Sequence, residues 1–418
     1  MPAATESAPV SVEEAGRLFS TVEECDCLLL AVSGGSDSMA LMWLASRWAR
    51  ESGWTGTLHV AVVDHGLRPE AADEARFVVS EAGKLGLKAQ SLKWDGPHPE
   101  TGIPAAARDA RYQLLFDLAR KLKAMVVTAH TQDDQAETVL MRLARGSGVD
   151  GLSGMELSSR RDGVSLVRPL LEISRERLRA TLRDAGVPWI DDPTNENMAH
   201  ERVRVRKALD VLAQVGVGRE AIALSANRLG RAQHALEIAT QGLMKVAVSV
   251  ELNSFASISI ERWFAAPAEL QVRAIMQLAR MFGGGQELSL SGAERVCDWM
   301  IMEKARATTF GGCRFARRAK TIIVGREDSR VDDVPLEVND KTGIIWDHRY
   351  EITVPANLLP ATVMPVKSCK GVERPKDIPD FIWQGLPVVS CKTGKFTPVD
   401  EAPVTFRLIE AAMVRHDD

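Results

Sequence analysis

The sequence predicts an α/β fold, in which a parallel sheet with helices on both faces is followed by a mostly helical domain and a small mixed α+β C-terminal region. Between residues 27 and about 129, short β-branched runs alternate with helical patterns, which is typical of a parallel sheet with crossover helices. From about residue 210 to residue 306 the pattern is mostly helical. The remainder holds short strands among prolines.

The first region contains the clearest elements. Strands are predicted at "CLLLAV", "LHVAVVD" and "AMVVTAH", with a weaker strand at "KAQSLKW". Helices are predicted at "PEAADEARFVVSEAGKLG", from its apolar spacing, and at "IPAAARDARYQLLFDLARKLK", which has a proline in its first turn. Beyond the glycine-rich "RGSGVDGLSGM", a short strand "VSLVRPLL" precedes "SRERLRATLRDAG", a helix with a serine cap and a glycine stop.

The later segments predict further elements and the domain limits. Helices are expected at 219–242, 268–281 and 291–305, and "TTFGGCRFARRAKTIIVGRE" predicts two strands. "GIIWDHRYEITV" and "PVTFRLI" predict short strands near the end of the sequence. We therefore divide the chain into a disordered lead with a first helix, an α/β domain, a mostly helical domain ending in a basic hairpin and a small β-rich region, at 1–24, 25–212, 213–328 and 329–418.

Composition narrows the class of protein. A chain of 418 residues is too long for one ordinary core, and 45% hydrophobic and 26% charged residues are typical of globular proteins. The net charge of -4 means that any nucleic-acid binding must come from local basic surfaces. The six cysteines lack CxxC or zinc spacing, which predicts reduced thiols. Without a signal-peptide pattern or an apolar run of membrane-spanning length, we expect a cytoplasmic protein.

The segment "SGGSDS", residues 33–38, directly follows the first strand and begins a helix. Such a turn points several backbone N–H groups at one spot, which favours an anion. The lysine and the longer spacing of a Walker loop are missing. Ser33, Ser36 and Ser38 offer hydroxyl donors. Asp37 would repel a polyphosphate unless a magnesium ion lay between them, so a metal contact is predicted, with simple capping of the helix as the alternative.

Polar side chains also follow the other predicted strands. "DHGLR" comes after the second strand, where ligands collect in open parallel sheets, although a turn bent by its glycine is the alternative. "AHTQDDQAET" places a histidine at a strand end and three acids on the first turns of a helix, at spacings that put at least two carboxylates on one face. A solvated acidic helix start is one interpretation, and a site for a cationic amino acid such as lysine is the other.

These segments together resemble the tRNA(Ile)-lysidine synthetase family of N-type ATP pyrophosphatases, within the PP-loop superfamily. The loop "SGGSDS" resembles that of the N-type ATP pyrophosphatases. The narrower resemblance covers about residues 28–209 and is carried, in order, by "VDHGLRPEA", "AARDARYQLL", "TAHTQDDQAETVLMRLARGSGVDGLSGM", "VRPLLEISRERLRATL" and "PWIDDPTNENMAHERVRVRKAL". It implies an N-type ATP pyrophosphatase catalytic domain at 25–212 and a tRNA-binding domain at 213–328.

The resemblance further implies ATP and Mg²⁺ as cofactors. The partners would be free L-lysine and the CAU-anticodon tRNA(Ile). The protein would be a monomer or a homodimer. The reaction would join lysine to C2 of the wobble cytidine through an adenylated intermediate. The implied nucleotide-binding residues are Ser33, Gly34, Gly35, Ser36, Asp37, Ser38, Asp64, His65 and Arg68, with Asp37 on the metal. The implied catalytic residues are Asp37, His130, Asp133, Asp134 and Glu137, the last two of which would meet lysine.

Basic residues in the first region are predicted to contact RNA. Arg108 lies in "AARDARYQLL", where solvated arginines are the alternative. In "RVRVRK", alternation would place Arg202, Arg204 and Arg206 on one face of a strand, whereas the resemblance makes this segment the start of a helix. Val203 stands where family members usually carry an asparagine, and a valine side chain cannot make the hydrogen bonds of an amide.

A second basic segment lies outside the catalytic domain. Residues 304–326 hold seven lysines and arginines and no acidic residue. This asymmetry predicts RNA binding, with a solvated hairpin face as the alternative. The predicted contacts are Arg314, Arg317 and Arg318.

Competing functions differ in the residues that they require. A tRNA thiolase of the same fold would activate the same C2 position but needs clustered cysteines, and a synthetase with a glutaminase would need a nucleophile motif. A nucleotide-regulated RNA-binding protein without catalysis would keep the glycine loop and the basic segments. It would not need the histidine and three acids of "AHTQDDQAET".

Overall fold

The computed structural model describes residues 8–66, 70–96, 103–191, 198, 201–302, 305–339, 343–398 and 403–409, with the side chains of the third stretch described from residue 106. The chain divides into two compact units between Gln233 and His234. The predicted helical domain and C-terminal region lie mainly in the second unit. The finer domain limits stay predictions.

The first unit is built around a six-stranded sheet. Its strands are β1 (Cys27–Ala31), β2 (Thr57–Asp64), β3 (Lys88–Lys93), β4 (Met125–Val127), β5 (Ser158–Arg161) and β6 (Val164–Val167). The order is β3-β2-β1-β4-β6-β5, and all pairs are parallel except β5 with β6. The predicted parallel sheet is therefore confirmed. The edge strand β5 was not predicted, because its sequence "SSRR" is polar throughout.

Helices cover both faces of this sheet. Alternate residues of β1 point to opposite sides: Leu28 and Leu30 join one core with α2 and α7, whereas Leu29 joins another with α4. The helices of this unit are α1 (Val12–Phe19), α2 (Ser36–Ser52), α3 (Ala71–Lys84), α4 (Ile103–Leu122), α5 (Gln132–Ala144), α6 (Val149–Leu152), α7 (Arg175–Ala185), α8 (Glu201–Ala213) and the first part of α9 (Arg219–Ala247).

The sheet order places a crevice beside β1. The chain passes from β1 to β2 on one side and later enters β4 on the other. In open parallel sheets, such a reversal leaves room for a ligand at the carboxyl ends of the two central strands. Ser33 follows β1 and His130 follows β4 within three residues of the strand end, so both lie at this crevice.

The second unit begins with a five-stranded antiparallel sheet packed against helices. Its order is β7-β8-β11-β10-β9, built from β7 (Val248–Glu251), β8 (Phe255–Ser259), β9 (Ala307–Phe310), β10 (Cys313–Arg317) and β11 (Thr321–Arg326). The helices are α10 (Ile260–Phe264), α11 (Ala268–Phe282) and α12 (Leu290–Met302). The sequence predicted two strands where three occur and missed β7 and β8, which are short, lie between helices and turn at Leu252 and Asn253 without glycine.

The rest of this unit contains two small antiparallel sheets. One consists of β12 (Leu336–Val338), β15 (Ala361–Pro365), β16 (Pro387–Cys391) and β17 (Gly394–Phe396), and the short helix α13 (Asp380–Gln384) precedes β16. The other pairs β14 (Tyr350–Thr353) with β13 (Gly343–Trp346) and β18 (Thr405–Leu408), which confirms the strands predicted there. Within the described ranges, no helix has both the length and the apolar character to cross a membrane.

Candidate active site

The glycine loop, residues 33–38, turns the chain from β1 into α2. Gly34 has a φ of +91°, and a β-carbon there would lie 3.2 Å from Ile190 Cδ1. Glycine is the residue that takes this conformation without strain. The first bond of α2 runs from Met39 N to Gly35 O, so the preceding N–H groups have no partner within the helix. The loop is therefore shaped to receive an anion at the start of α2.

The serines of this loop hold its shape. Ser33 N donates to Ser38 Oγ at 3.1 Å, and Ser38 Oγ donates to Gly35 O at 3.0 Å. Ser36 Oγ donates to Asp37 Oδ1 at 3.2 Å. The hydroxyls predicted to meet phosphate are thus engaged within the loop, and their contact with a phosphate stays a prediction.

Three carboxylates from two helices meet around one guanidinium. Arg175 Nε donates to Asp37 Oδ2 at 2.8 Å, and Arg175 Nη2 lies 3.2 Å from Asp134 Oδ1. Its Nη1 lies 3.9 Å from Glu137 Oε1. The fold therefore joins the glycine loop to the acidic start of α5 at the crevice beside β1. Sequence reasoning noted the helix that begins at Arg175 but not the arginine itself.

Asp133 lies beside these carboxylates but has different partners. Its Oδ2 accepts the backbone N–H of Arg175 at 2.8 Å, and its Oδ1 lies 3.3 Å from Arg219 Nε. Asp133 thus fixes the start of α7 against α5 and contacts the start of α9. In this arrangement it orients Arg175, and its predicted catalytic role stays a prediction.

Glu137 is fully buried and is paired with α8. Arg206 Nε lies 2.5 Å from Glu137 Oε1, and Arg206 Nη2 lies 3.4 Å from Oε2. The segment "RVRVRK" is helical, as the family resemblance implied, and Val203 is buried. Arg206 therefore lies at the acidic pocket, whereas Arg204 is exposed and donates to Met198 O at 3.1 Å. RNA contacts of Arg202, Arg204 and Arg206 stay predictions.

Burial opposes charge on the groups of this site. It lowers the pKa of His130 to about 3, so the imidazole is neutral, and its Nδ1 lies 2.9 Å from Thr128 Oγ1. Burial likewise raises the pKa of Asp37 and the pKa of Glu137, despite the arginines beside them. Burial also opposes ionisation of Asp134, but the charge of Arg175 and the N–H of Thr131 help outweigh it and lower the pKa of that carboxyl.

The end of β2 forms a tight turn near the same edge of the sheet. Asp64 Oδ1 accepts the backbone N–H of Gly66 at 2.9 Å, and Gly66 has a φ of +64°. His65 lies between them and is partly buried. Arg68 lies outside the described residues. The nucleotide contacts predicted for Asp64, His65 and Arg68 stay predictions.

Three arginines surround one buried tyrosine on α4. The guanidinium carbons of Arg108, Arg111 and Arg161 lie 5.7, 5.6 and 5.1 Å from the ring centre of Tyr112. Tyr112 packs into the core. Arg161 comes from the unpredicted strand β5, so only the fold brings it to this surface. The local positive charge supports a phosphate contact for Arg108, which stays a prediction.

The basic segment of the second unit is less exposed than its sequence indicated. Arg326 is only 4% exposed, and its Nη2 pairs with Asp347 Oδ1 at 2.8 Å. This residue must therefore be removed from the predicted basic surface, because an ion pair and backbone carbonyls hold it in the interior. The mistake arose because charge counting along the sequence does not reveal burial.

The other basic side chains of this segment differ among themselves. Arg317 Nη2 donates to Met300 O at 2.6 Å, and its guanidinium lies over the ring of Trp299. Arg314 lies over the ring of Phe381. Arg318 is exposed near the turn between β10 and β11. Of Arg314, Arg317 and Arg318, Arg318 is the most accessible to RNA. The RNA contacts of all three stay predictions.

A magnesium ion fits this site only together with other ligands. Among the described residues, no group of three or more histidines, cysteines or acids is placed to hold a metal ion. Mg²⁺ commonly uses one or two carboxylates and completes its shell with phosphate and water oxygens. Asp37, within the glycine loop, is suited to that kind of site.

The chain matches one family model and is similar to several known proteins along most of its length. The model of the PP-loop domain matches residues 9–212. A tRNA(Ile)-lysidine synthase of Bradyrhizobium sp. strain BTAi1 is 46% identical over 312 residues, which cover 72% of this chain and 87% of the relative. The synthase of Rhodopseudomonas palustris is 42% identical over 72% of this chain and 88% of the relative. That of Wolbachia sp. subsp. Brugia malayi is 30% identical over 88% and 86%.

Proposed function

The chain belongs to the tRNA(Ile)-lysidine synthase family, and from this premise we propose that it joins lysine to C2 of the wobble cytidine in the CAU-anticodon tRNA(Ile). ATP is the co-substrate, and AMP and pyrophosphate are released. One observation carries the proposal: a single crevice holds an anion-binding glycine loop and a pocket of buried carboxylates, and Arg175 bridges them. ATP and a cationic amino acid are the two ligands that these features suit.

The first step activates the base. The C2 carbonyl oxygen attacks the α-phosphorus of ATP, the bond from that phosphorus to the bridging oxygen breaks, and pyrophosphate leaves with the electron pair. The N–H groups at the start of α2 stabilise its charge. Asp37 would hold Mg²⁺, which supplies further charge neutralisation when bound. The glycine loop therefore serves the leaving pyrophosphate and does not require the lysine of a Walker loop.

The second step delivers lysine. Asp134, the carboxyl with a lowered pKa, binds the side-chain ammonium, and buried Glu137, whose pKa is raised, is the stronger base for its proton. The free amine then attacks C2, and AMP leaves as its bond to the ring breaks. Because His130 is neutral, its pKa being lowered by burial, it adds no repulsion to an arriving ammonium.

Recognition of RNA requires the cytidine to leave the anticodon stack. The arginines around Tyr112 and the exposed face of α8 provide positive charge beside the crevice, suited to phosphates on either side of that base. Residues of the second unit, with Arg318 foremost, would contact the tRNA elsewhere. We assign the reaction to the cytoplasm, where charged and uncharged tRNAs are found.

The cysteines do not favour the thiolase alternative. Cys27 begins β1, so it lies at the amino end of that strand, whereas the crevice lies at its carboxyl end. Burial raises the pKa of Cys297 and the pKa of Cys313 to about 12, which leaves both thiols unreactive near neutral pH. Transfer of sulfur needs a reactive thiol or a cluster at the activated base.

The test is direct formation of lysidine. Purified protein, ATP, Mg²⁺, lysine and the CAU-anticodon tRNA(Ile) should give a cytidine whose mass has increased by one lysine less one water. Asp37→Asn should lower the rate on the order of 100-fold, because it removes the metal anchor. Asp184→Asn, at an exposed aspartate on α7, is the matched control and should keep the wild-type rate. Release of pyrophosphate without lysine incorporation, or incorporation of sulfur when a sulfur donor is added to the same assay, would overturn the proposal.

A further inference from the structure

Arg175 pairs with the two carboxylates that the proposed reaction assigns to Mg²⁺ and to lysine. Its guanidinium engages Asp37 on the glycine-loop side and Asp134 on the lysine side, at 2.8 and 3.2 Å. Both oxygens of Asp37 are occupied, since Ser36 Oγ donates to Oδ1. A metal ion bound by Asp37 and a guanidinium hydrogen-bonded to the same carboxylate would repel each other. This repulsion favours exchange of the guanidinium for the metal ion at Asp37.

The backbone of Arg175 is fixed, but its side chain has an alternative partner. Ser174 caps α7, and Asp133 accepts the backbone N–H of Arg175 at 2.8 Å. The residue occupies the first position of the helix, where the helix dipole disfavours a cation. The carboxylates offset this cost. Triphosphate oxygens at the neighbouring glycine loop would do so equally well, and a guanidinium binds them in two-pronged geometry.

We propose that Arg175 is an exchangeable counter-ion: it pairs with Asp37 and Asp134 until magnesium-bound ATP arrives, and its guanidinium then moves to phosphate oxygens. This inference rests on the proposed use of ATP. Asp37 is released to the metal, and Asp134 is released to the ammonium of lysine. Glu137 keeps its closer partner, Arg206. Arg175 and lysine thus compete for the carboxylate of Asp134.

The exchange predicts a coupling between the two substrates. While the guanidinium lies between Asp37 and Asp134, the position for an ammonium is already taken by a positive charge. Nucleotide binding draws that charge away, so lysine should bind more tightly afterwards. By linkage, lysine should strengthen nucleotide binding by the same factor. Lysine is therefore held at the carboxylate only after ATP has bound.

The first experiment titrates MgCl₂ alone into the full-length protein by calorimetry, without nucleotide or tRNA. Wild-type protein should bind the ion weakly, because Arg175 occupies Asp37. Arg175→Gln should bind it about tenfold more tightly. Arg183→Gln is the matched control, since Arg183 lies on the same helix in an exposed pair with Glu176, and it should behave as wild type. Equal affinity in wild type and Arg175→Gln would overturn the exchange.

The second experiment measures lysine binding with and without a magnesium complex of a non-hydrolysable ATP analogue. The analogue should tighten lysine binding about tenfold in wild type and in Arg183→Gln. In Arg175→Gln, lysine should bind equally with and without the analogue. Arg175→Lys, which keeps the charge but cannot bridge two carboxylates, should show an intermediate ratio and serves if the glutamine variant fails to fold. A ratio of one in wild type would contradict the coupling.

These measurements separate the two proposals. Neither binding experiment contains tRNA, so coupled binding of nucleotide and lysine can be observed even if lysidine is never formed. In that case only the proposed function fails. Conversely, lysidine formation by wild type together with unaltered Mg²⁺ and lysine binding in Arg175→Gln would leave the function intact and remove the role of Arg175. A purely structural role would lower the melting temperature without changing the dependence of lysine binding on nucleotide.

Discussion

His130 illustrates at a single residue how burial decides charge. Histidine is ordinarily half-protonated near pH 6.5, yet desolvation lowers the pKa of His130 to about 3 although Asp134 lies nearby. The same burial raises the pKa of Glu137. The site thus combines a neutral imidazole, a firmly ionised Asp134 and a carboxyl that protonates easily, although all three titratable groups follow one strand.

This charge state gives a dependence of stability on pH. Below about pH 6.5 the unfolded chain protonates His130, while the native imidazole stays neutral. The free energy of unfolding therefore decreases as the pH is lowered from about 6.5 to about 3, by up to ~1.4 kcal/mol per pH unit. The His130→Gln variant has no imidazole at this position to be protonated in the unfolded chain. Between pH 7 and pH 5, its melting temperature should therefore fall less than that of wild type, as measured by circular dichroism.

The exposed His234 supplies the control for that experiment. His234→Gln should keep the wild-type pH dependence, because the substitution does not touch the buried site. If His130→Gln lost stability as steeply as wild type, the buried neutral histidine would be contradicted.

The acids of the site were predictable residue by residue, but their shared partner was not. Asp37, Asp134 and Glu137 follow strand ends in a recognisable pattern. Arg175 begins a helix whose sequence "SRERLRATLRDAG" is rich in arginine, and nothing local distinguishes it from Arg177, which pairs with Glu14 on α1. Only the packing of α7 against α2 and α5 selects Arg175 for the carboxylates.

At the scale of elements, the turn from β1 into α2 depends on backbone conformation. Gly34 and Gly53 lie at opposite ends of α2, and both have positive φ, +91° and +69°. A β-carbon would approach Ile190 at Gly34 but would meet open space at Gly53. The two positions therefore share a conformational constraint and differ in the space around them, and only Gly34 belongs to the glycine loop.

Gly34→Ala and Gly53→Ala should separate stability from nucleotide binding. Each should cost about 1 kcal/mol of unfolding free energy, because alanine disfavours a positive φ. Only Gly34→Ala should also weaken ATP binding, by at least about tenfold, since the loop must shift away from Ile190. Denaturant unfolding and fluorescence titration with an ATP analogue measure the two effects. Equal ATP affinity in both variants would exclude a nucleotide role for the loop.

The sequence pattern did not distinguish helix from strand in segments where periodicity was the only evidence. "RVRVRK" alternates like a strand, yet it forms part of α8, in which Arg206 faces Glu137 and Val203 is buried. The short strands β7 and β8 were missed for the opposite reason, because they lie between helices and are joined by a turn of Leu252 and Asn253. Tertiary pairing with β11 stabilises β8 where local preference does not.

At the scale of the whole molecule, the second unit is held together by a buried ionic cluster. Asp347 accepts from Arg326 at 2.8 Å and from Arg349 at 2.6 Å, and all three side chains are less than a tenth exposed. Arg326 belongs to β11 and Arg349 precedes β14, so the cluster ties the five-stranded sheet to the C-terminal strands. Removing one member would leave buried charge without a partner.

Asp347→Asn should therefore destabilise the second unit by about 3 kcal/mol and lower its melting transition in calorimetry. ATP binding, a property of the first unit, should be unchanged at 25 °C, whereas turnover with tRNA should fall. Asp333→Asn is the control, because Asp333 is exposed and pairs with Lys367 at 3.0 Å. A melting transition unaltered in Asp347→Asn would contradict the structural role of the cluster.

Charge distribution, rather than net charge, governs the expected binding of tRNA. Arg318→Gln should weaken tRNA binding and reduce the slope of log affinity against log salt by about 1, without changing ATP binding. Arg330→Gln, at an exposed arginine that already pairs with Glu327, should have a smaller effect. Filter binding at several salt concentrations measures both. An unchanged slope in Arg318→Gln would remove this residue from the RNA surface.

The sequence by itself determined the parallel sheet, the glycine loop, the acidic start of α5 and the family, because each depends on local spacing along one segment. Tertiary structure alone decided which charges meet. It brought Arg175 between Asp37 and Asp134, residues about 100 positions apart in sequence, and it buried Arg326 against Asp347. The physical reason is that burial and ion pairing depend on elements distant in sequence, whereas turns, caps and periodicity depend on neighbours.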